Sequence, residues 1–255
     1  MKSTFQNKVA LITGATSGIG ANVAHELAAR RAKVVVSGRR AAEGEAVVKA
    51  IQATGGIASF FPADTSKETD VKALVDFTVR THGGLHYAFN NAGSEGTPGL
   101  TIDQQTEDNY RRTFDVNVLG VLFSLKHEIP AILRSGGGAI VNTSSIVGQV
   151  GMAGMGVYVA SKHAVDGLTR TAALEFSKQG VRVNAVAPGV IQTPMVDRFV
   201  GANTVNNAQR DWLASQHPIG RIGTTDEVAQ ATIALLENAF ITGSILTVDG
   251  GWTAQ

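Results

Sequence analysis

Two side chains with acid/base chemistry, Tyr158 and Lys162, stand four residues apart in a segment whose pattern predicts a helix. At this spacing they share one face of the helix and can converge. A tyrosine phenol has a pKa near 10, too high for ready proton exchange at neutral pH. A lysine ammonium about 4 Å away, at an effective dielectric of about 20, favours the phenolate by roughly 4 kcal/mol, and half of that lowers the pKa by more than about one unit. The pair predicts Tyr158 as a general acid/base tuned by Lys162.

A serine hydroxyl strengthens this prediction, because Tyr-x-x-x-Lys alone is a common accidental pattern. Ser145 follows a predicted strand at 139–142 and therefore lies at the carboxyl edge of the sheet. A hydroxyl there can donate to a substrate carbonyl oxygen as that oxygen gains negative charge. Thr143 and Ser144 are neighbours that could compete for this role or simply cap the strand.

A glycine-rich segment lies where the first predicted strand meets the first predicted helix. Its sequence is Thr13-Gly14-Ala15-Thr16-Ser17-Gly18-Ile19-Gly20. Glycines let the backbone turn tightly and approach a pyrophosphate, and the helix N-terminus offers free N–H groups and a partial positive charge. The alternative is a turn whose glycines serve packing alone. We interpret the segment as a dinucleotide-binding loop.

The end of the second strand indicates which dinucleotide is bound. NAD sites usually place a carboxylate there to accept from the ribose 2′-hydroxyl, whereas a guanidinium suits a 2′-phosphate. Here the strand ends Ser37-Gly38-Arg39-Arg40, with Glu43 close behind. Arg39 is the favoured phosphate contact, with Ser37 and Arg40 assisting, unless both arginines are solvated surface charges. NADP(H) is therefore favoured over NAD(H).

Two further strand ends carry candidate cofactor contacts. Asp64 could accept from the adenine amino group or could equally cap the following turn. The turn Asn90-Asn91-Ala92-Gly93 follows the fourth strand, at the edge where ligands of open α/β sheets bind. Its small residues would let the adenosine ribose lie against the backbone.

Short apolar runs alternate with amphipathic segments along the whole chain, as in a parallel sheet covered by helices on both faces. The predicted strands are 8–13, 33–37, 57–61, 85–89, 139–142, 181–187 and 244–248. The predicted helices are 19–30, 41–54, 69–82, 108–135, 157–179 and 225–237. The pattern predicts an α/β, Rossmann-like doubly wound fold, with 1–255 as a single domain. The least regular part, about 191–222, is a candidate substrate-binding lid.

These motifs together resemble the short-chain dehydrogenase/reductase family, in order and over nearly the whole chain. The matching positions are Thr13-Gly14-x-x-x-Gly18-x-Gly20, Asp64, Asn90-Asn91-Ala92-Gly93, Asn117, Ser145, Tyr158-x-x-x-Lys162, Pro188-Gly189 and Thr247-Val248-Asp249-Gly250-Gly251. The resemblance implies that Asn117 holds a water linking Lys162 to solvent, and that Lys162 also binds the nicotinamide ribose.

The resemblance carries further implications for the cofactor and for assembly. Beyond Pro188-Gly189, Val190 and Thr193 match positions that contact the nicotinamide carboxamide. NADP-preferring members often carry a basic residue in the glycine loop, where this chain has Thr16-Ser17, so the NADP prediction depends on Arg39. The family also implies a homotetramer, with the helices at 108–135 and 157–179 as contact faces.

Composition excludes several other classes of protein. The 255 residues are 44% hydrophobic and 17% charged, with a net charge of +1, so neither disorder nor nucleic-acid binding is expected. There is no cysteine, the six histidines show no paired ligand spacing, and we predict no metal site. The first apolar run, at 9–12, is too short for a signal peptide, and the uncharged stretch 135–161 is broken by glycines and polar residues. We therefore predict a cytoplasmic protein without a membrane-spanning segment.

The expected function is the interconversion of a ketone or aldehyde and an alcohol by hydride transfer with NADP(H). A reductase of 3-oxoacyl thioesters on an acyl carrier is the first alternative, although Arg198 and Arg210 alone do not form a basic docking face. A non-catalytic dinucleotide-binding regulator is the second, and the complete Ser145, Tyr158 and Lys162 set argues against it.

Overall fold

The computed structural model describes residues 4–200 and 208–255, which form a parallel sheet covered by helices. The strands are β1 Val9–Thr13, β2 Lys33–Gly38, β3 Ile57–Pro62, β4 Tyr87–Asn90, β5 Gly138–Thr143, β6 Val181–Pro188 and β7 Ile245–Val248. Their order in the sheet is β3-β2-β1-β4-β5-β6-β7, and every pairing is parallel. This confirms the predicted doubly wound fold.

Helices cover both faces of the sheet. They are α1 Gly18–Ala29, α2 Ala41–Ala53, α3 Glu68–His82, α4 Glu107–Phe114, α5 Gly120–Arg134, α6 Gly156–Phe176, α7 Pro194–Val200, α8 Ala208–Ser215 and α9 Thr225–Glu237. Because side chains alternate along a strand, Ala10 and Ile12 of β1 join the core under α1, α2 and α9, whereas Leu11 joins the core under α3, α5 and α6. Both faces of β1 are therefore buried, which explains its uninterrupted apolar sequence.

The chain reverses its direction of winding between β1 and β4. From β1 it proceeds outward to β2 and β3, then crosses back to β4 and continues to β7. In open α/β sheets the crevice at such a switch point, beyond the carboxyl ends of the strands, is where ligands bind. The glycine segment after β1 and the Asn91-Ala92-Gly93 turn after β4 lie on the two sides of this crevice.

The predicted helix at 108–135 is interrupted in a way that the sequence pattern did not reveal. Residues Asp115–Leu119 form a π-helical turn between α4 and α5, and the backbone N–H of Gly120 donates to the Asp115 carbonyl, five residues earlier. A single π turn changes the hydrogen-bond partners but leaves the apolar face continuous, so periodicity does not detect it. The turn contains Asn117, a predicted site residue.

The helical run Glu107–Arg134 is long and apolar enough to cross a membrane by length and composition, and half of its apolar window is buried inside the protein. Long helices in protein cores meet the same criterion. The absence of a membrane-spanning segment stays a prediction.

The candidate lid at about 191–222 contains more regular structure than predicted. It includes α7 and α8, which the sequence pattern did not identify, while residues 201–207 lie outside the described part. Arg210 of α8 forms an ion pair with Asp197 of α7 and donates to Gln192 Oε1 at 3.0 Å. This polar contact joins the two short helices. The assignments of a lid and of a single domain stay predictions.

Candidate active site

The carboxyl ends of the strands border a cleft of about 590 Å³. Most of the predicted site residues line this cleft, and they come from the N-terminal and the C-terminal parts of the chain. They are Gly14, Thr16, Ser17, Gly18, Ile19, Ser37, Arg39, Arg40, Asp64, Asn91, Ala92, Gly93, Ser145, Tyr158, Lys162, Pro188, Gly189 and Thr193. Gly20 and Asn117 lie behind this lining, and Val190 borders a second cavity of about 270 Å³.

The glycine segment packs against the backbone of the turn after β4. A Cβ on Gly14 would lie 2.7 Å from the Ala92 backbone, and one on Gly20 would lie 2.5 Å from the Gly14 carbonyl oxygen. The Asn91 side chain donates to that same carbonyl at 3.0 Å and so fixes the loop. Gly14 also has a φ of 62°, a left-handed conformation that favours glycine. The packing of the loop against the turn after β4 therefore requires glycine at positions 14 and 20.

The first turn of α1 opens toward the cleft beside Gly18. Ser17 makes no side-chain capping bond to this helix, so its first N–H groups lack a side-chain acceptor. A Cβ on Gly18 would meet nothing nearer than the Thr193 side chain at 3.4 Å. Free N–H groups and the helix dipole at an open glycine surface suit a pyrophosphate. The loop therefore has the shape and polarity that the sequence predicts for a dinucleotide site.

The two arginines after β2 have different environments. Arg40 donates to Thr16 Oγ1 at 2.8 Å and to Ser17 Oγ at 2.7 Å, and it lies 3.5 Å from Glu43. Its guanidinium is thus held across the glycine segment. Arg39 is exposed at the rim of the cleft. The Ser37 hydroxyl, also at the rim, is buried without a hydrogen-bond partner among the described residues.

Asp64 fulfils one of its two predicted roles directly. Its Oδ1 accepts from the Ser66 backbone N–H at 3.1 Å and from the Ser66 hydroxyl at 2.8 Å, so it caps the turn after β3. It also lines the cleft. Asp64 can therefore cap this turn and still make the predicted contact to adenine.

Ser145, Tyr158 and Lys162 meet at the other end of the cleft. Ser145 and Tyr158 line this part of the cleft together, and the Ser145 hydroxyl favours the phenolate form of Tyr158. Lys162 Nζ lies 5.6 Å from the centre of the Tyr158 ring and donates to the Thr143 carbonyl at 2.8 Å. The four-residue spacing on α6 thus brings the lysine beside the tyrosine, as predicted.

The pKa of Tyr158 differs from the prediction. The pKa of Tyr158 is raised to about 12, chiefly by burial; the Ser145 hydroxyl lowers it and the charge of Glu95 raises it further. Burial also lowers the pKa of Lys162 to about 8, against an opposing effect of Asp166. The prediction that Lys162 lowers the pKa of Tyr158 was wrong. The ammonium donates to a backbone carbonyl, and desolvation disfavours both the phenolate and the ammonium.

Asn117 lies beneath the Gly93 turn. Its Nδ2 donates to the Ser94 carbonyl at 2.9 Å and to the Ser161 hydroxyl at 3.0 Å, and its Oδ1 accepts from the Ser94 N–H at 2.8 Å. A Cβ on Gly93 would lie 3.4 Å from Asn117 Oδ1 and 3.8 Å from Lys162 Nζ. The residue therefore ties the π turn, the β4 turn and α6 together beside the lysine.

A buried polar chain supports the site from behind. The Asn90 side chain donates at 3.0 Å to both Glu128 and Asn142, and Asn142 donates to the Thr169 hydroxyl at 2.9 Å. Burial raises the pKa of Glu128 to about 7, and the Asn90 bond opposes this. These bonds fix the ends of β4 and β5 relative to α5 and α6.

Sequence reasoning missed two charged residues near the cleft, Asp166 and Glu95, and considered a third, Arg198, only for carrier docking. Asp166 is 1% exposed, lies one helical turn beyond Lys162, and raises the pKa of that lysine. The four-residue spacing between Lys162 and Asp166 was the sequence signal that could have identified Asp166. Glu95 and Arg198 form an ion pair at 2.9 Å although they are 103 residues apart. Neither carried a local signal for this pairing.

Sequence comparison assigns the family. A family model described as Enoyl-(Acyl carrier protein) reductase matches residues 14–253, which include the glycine segment and every strand from β2 to β7. The fold and the cleft define a dinucleotide-dependent oxidoreductase of the doubly wound α/β class. The chain belongs to the short-chain dehydrogenase/reductase family, which confirms the resemblance.

Individual relatives agree with this assignment. The chain is 46% identical over 257 residues to a cyclohexanol dehydrogenase of Acinetobacter sp. (strain SE19), covering 100% of this chain and 98% of the relative. It is 39% identical to a cis-4-hydroxycyclohexanecarboxylate dehydrogenase of Sinomonas cyclohexanicum, with full coverage of both. The crystal structure of levodione reductase superposes with a TM-score of 0.93 at 32% identity, covering 98% of this chain and 99% of that one. The chain is thus a hydride-transfer oxidoreductase acting on CH–OH groups with a nicotinamide dinucleotide.

Proposed function

We propose that this enzyme interconverts a ring-borne secondary alcohol and its ketone with NADP(H), using Tyr158 as the general acid/base. The observation that carries the proposal is the meeting of Ser145, Tyr158 and Lys162 at one end of a cleft whose opposite rim holds Arg39. Relatives whose names specify cyclohexanol and 4-hydroxycyclohexanecarboxylate support a cyclic alcohol as substrate.

A nicotinamide dinucleotide held in the cleft would supply or take up the hydride at the substrate carbon. The Ser145 hydroxyl donates to the substrate oxygen, and in reduction the Tyr158 phenol gives its proton to that oxygen. Because its pKa is raised to about 12, the phenol keeps this proton at neutral pH until the substrate oxygen gains negative charge. In oxidation the phenolate must form, and the Ser145 hydroxyl favours it. Asn117 holds a water through which Lys162 exchanges protons with solvent.

The remaining predicted residues hold the cofactor along the cleft. The segment Gly14 to Gly20 and the first turn of α1 bind the pyrophosphate. Asp64 accepts from adenine, the Asn91-Ala92-Gly93 turn supports the adenosine ribose, and Lys162 binds the nicotinamide ribose. Arg39 and Ser37 bind the 2′-phosphate, while Arg40 supports the loop through Thr16 and Ser17. The carboxamide is bound by Pro188, Gly189 and Thr193, which line the cleft, whereas the predicted contact from Val190 is not favoured because its N–H donates to His217 and its carbonyl accepts from Gly223.

The cofactor preference gives the first prediction. With cyclohexanol as substrate, kcat/KM is expected to be at least about tenfold higher when measured with NADP⁺ than with NAD⁺. Arg39→Ala should weaken NADP⁺ binding about 10- to 100-fold, because a hydrogen bond to a charged group contributes roughly 1.5–3 kcal/mol, and should change NAD⁺ binding less than about threefold. Fluorescence titration with both cofactors measures this.

Arg111→Ala is the matched control, since Arg111 pairs with Glu107 on the exposed surface of α4. An equal loss of affinity for NADP⁺ and for NAD⁺ in Arg39→Ala would contradict the assignment of NADP(H).

A reductase of acyl-carrier thioesters is the second candidate, favoured by the description of the matching family. The two arginines considered for carrier docking are both paired, Arg198 with Glu95 and Arg210 with Asp197. Their positive charges are therefore partly neutralised. Faster turnover of a 3-oxoacyl thioester than of cyclohexanone, in the same assay, would favour this candidate.

We further propose a homotetramer, with a cytoplasmic location. Exposed apolar side chains on the predicted contact helices support it: Leu122 of α5 is 42% exposed and Leu174 of α6 is 85% exposed. Sedimentation equilibrium is expected to give four times the 26.6 kDa chain mass. The variant Leu122→Arg, which places a charge on this face, should shift the population toward smaller species, and a monomeric wild-type protein would refute the proposal.

A further inference from the structure

The ion pair between Glu95 and Arg198 forms part of the lining of the cleft that also contains Tyr158. Glu95 follows the turn after β4, and Arg198 lies on α7. Arg198 Nε donates to Glu95 Oε1 at 3.0 Å, and Nη2 donates to Oε2 at 3.1 Å. The Glu95 side chain is 16% exposed, whereas that of Arg198 is 58% exposed. The carboxylate is therefore mostly removed from water, with the guanidinium on its more solvated side.

Glu95 is close enough to influence the reacting group. It lines the same cleft as Ser145 and Tyr158. The negative charge of Glu95 raises the pKa of Tyr158, although its effect is smaller than the effects of burial and of the Ser145 hydroxyl. A substrate whose oxygen lies between Ser145 and Tyr158 must therefore place part of its body within the field of this carboxylate.

We infer that Glu95 is a specificity-determining residue that selects uncharged cyclic alcohols and rejects those carrying a carboxylate. The inference rests on the proposed function, because it concerns the same cleft. A substrate carboxylate would approach the Glu95 carboxylate in a partly desolvated site, where repulsion between like charges is stronger than in water, although the Arg198 charge offsets part of it. Arg198 does not act as the counter-ion of the substrate, because two hydrogen bonds to Glu95 already engage the guanidinium.

A purely mechanical role for the pair makes a different prediction. If the pair only held α7 in place, breaking it from either side would loosen the same contact and change specificity in the same direction. If Glu95 acts through its charge, the two sides differ. Glu95→Gln removes the repelling charge and frees Arg198 for a substrate carboxylate, whereas Arg198→Gln leaves Glu95 uncompensated.

The experiment compares cyclohexanol with 4-hydroxycyclohexanecarboxylate, which differ chiefly by one negative charge. We expect wild-type kcat/KM to favour cyclohexanol by at least about tenfold. Glu95→Gln should shift this ratio toward the carboxylate by at least about tenfold, and Arg198→Gln should shift it the other way. Glu107→Gln, which breaks the exposed pair with Arg111, is the matched control and should leave the ratio unchanged.

A binding measurement separates failure of this inference from failure of the proposed function. Calorimetry measures the binding of cyclohexanecarboxamide and cyclohexanecarboxylate in the presence of NADP⁺, without any turnover. In the wild type and in each variant, the preference between the uncharged and the charged compound should match the preference found in kcat/KM. Preference for the amide in a protein that oxidises neither alcohol would refute the proposed function and support the role of Glu95. Equal binding of both compounds, or shifts in one direction for both variants, would overturn the inference.

Discussion

Tyr158→Phe is expected to lower kcat by roughly 10²- to 10⁴-fold, the range typical for removal of a general acid/base. The substitution removes only the phenolic oxygen, so the ring still packs in the cleft. The lost group is the hydroxyl whose proton reaches the substrate oxygen in the proposed mechanism. Cofactor affinity should change by less than about twofold, because the glycine segment and Arg39 are untouched. Steady-state kinetics and NADP⁺ titration measure the two quantities.

The control for this variant is Tyr110→Phe. Tyr110 is 49% exposed on α4, where it stacks on Phe114, and the same oxygen is removed there without any contact to the cleft. We expect wild-type kcat in this variant. Unchanged turnover in Tyr158→Phe would refute the assignment of the acid/base, whatever the control shows.

Lys162→Met is expected to lower kcat at least about 100-fold while leaving the cofactor-free protein as stable as the wild type or more stable. The loss of activity follows because Lys162, 5.6 Å from the centre of the Tyr158 ring, is proposed both to bind the nicotinamide ribose and to exchange protons with solvent for that phenol. The methionine side chain has a similar length and no charge, so the buried site keeps its packing. This variant separates activity from stability in a single substitution.

The stability effect has a definite sign and pH window. Burial lowers the pKa of Lys162 to about 8 from its ordinary 10.5. Below pH 8 the folded state holds a buried charge, at a cost of about 3 kcal/mol from this shift. Between pH 8 and 10.5 the unfolded chain binds more protons than the folded one, so wild-type stability rises with pH. Loss of the bond from the charged ammonium to the Thr143 carbonyl costs roughly 1.5–3 kcal/mol and so offsets much of the variant's gain.

Thermal unfolding of the cofactor-free proteins from pH 6 to 10 tests this prediction. The Tm advantage of Lys162→Met should be largest below pH 8 and should narrow toward pH 10. Lys49→Met, at an exposed position of α2, should show no such trend. A Tm for Lys162→Met well below that of the wild type at pH 7 would show that the ammonium stabilises the fold, contrary to the argument from burial.

The fold was predictable because its signals are local and repeated. Each parallel strand, buried on both faces, is a short apolar run, as in Val9–Thr13, and each covering helix repeats its apolar residues at helical spacing. The π turn at Asp115–Leu119 was not predictable, because it shifts hydrogen bonds without changing that spacing. The helices α7 and α8 were missed because they are short and carry little periodic pattern.

The sequence alone determined which residues could act in proton transfer and in cofactor binding. Tyr158 and Lys162 are fixed as neighbours by helical geometry, and the glycine spacing of Gly14 to Gly20 fixes a tight loop at a strand end. These relations extend over a few residues, so local backbone rules decide them.

Only the tertiary structure decided the electrostatics of the site. Burial sets the direction in which the pKa values of Tyr158 and Lys162 shift, and it depends on residues packed from distant parts of the chain. The pairing of Glu95 with Arg198 joins positions 103 residues apart, and Arg40 reaches back across 24 residues to Thr16. Desolvation and long-range charge pairs arise only when the chain has folded, and this is why spacing alone predicted the reacting groups but not their protonation.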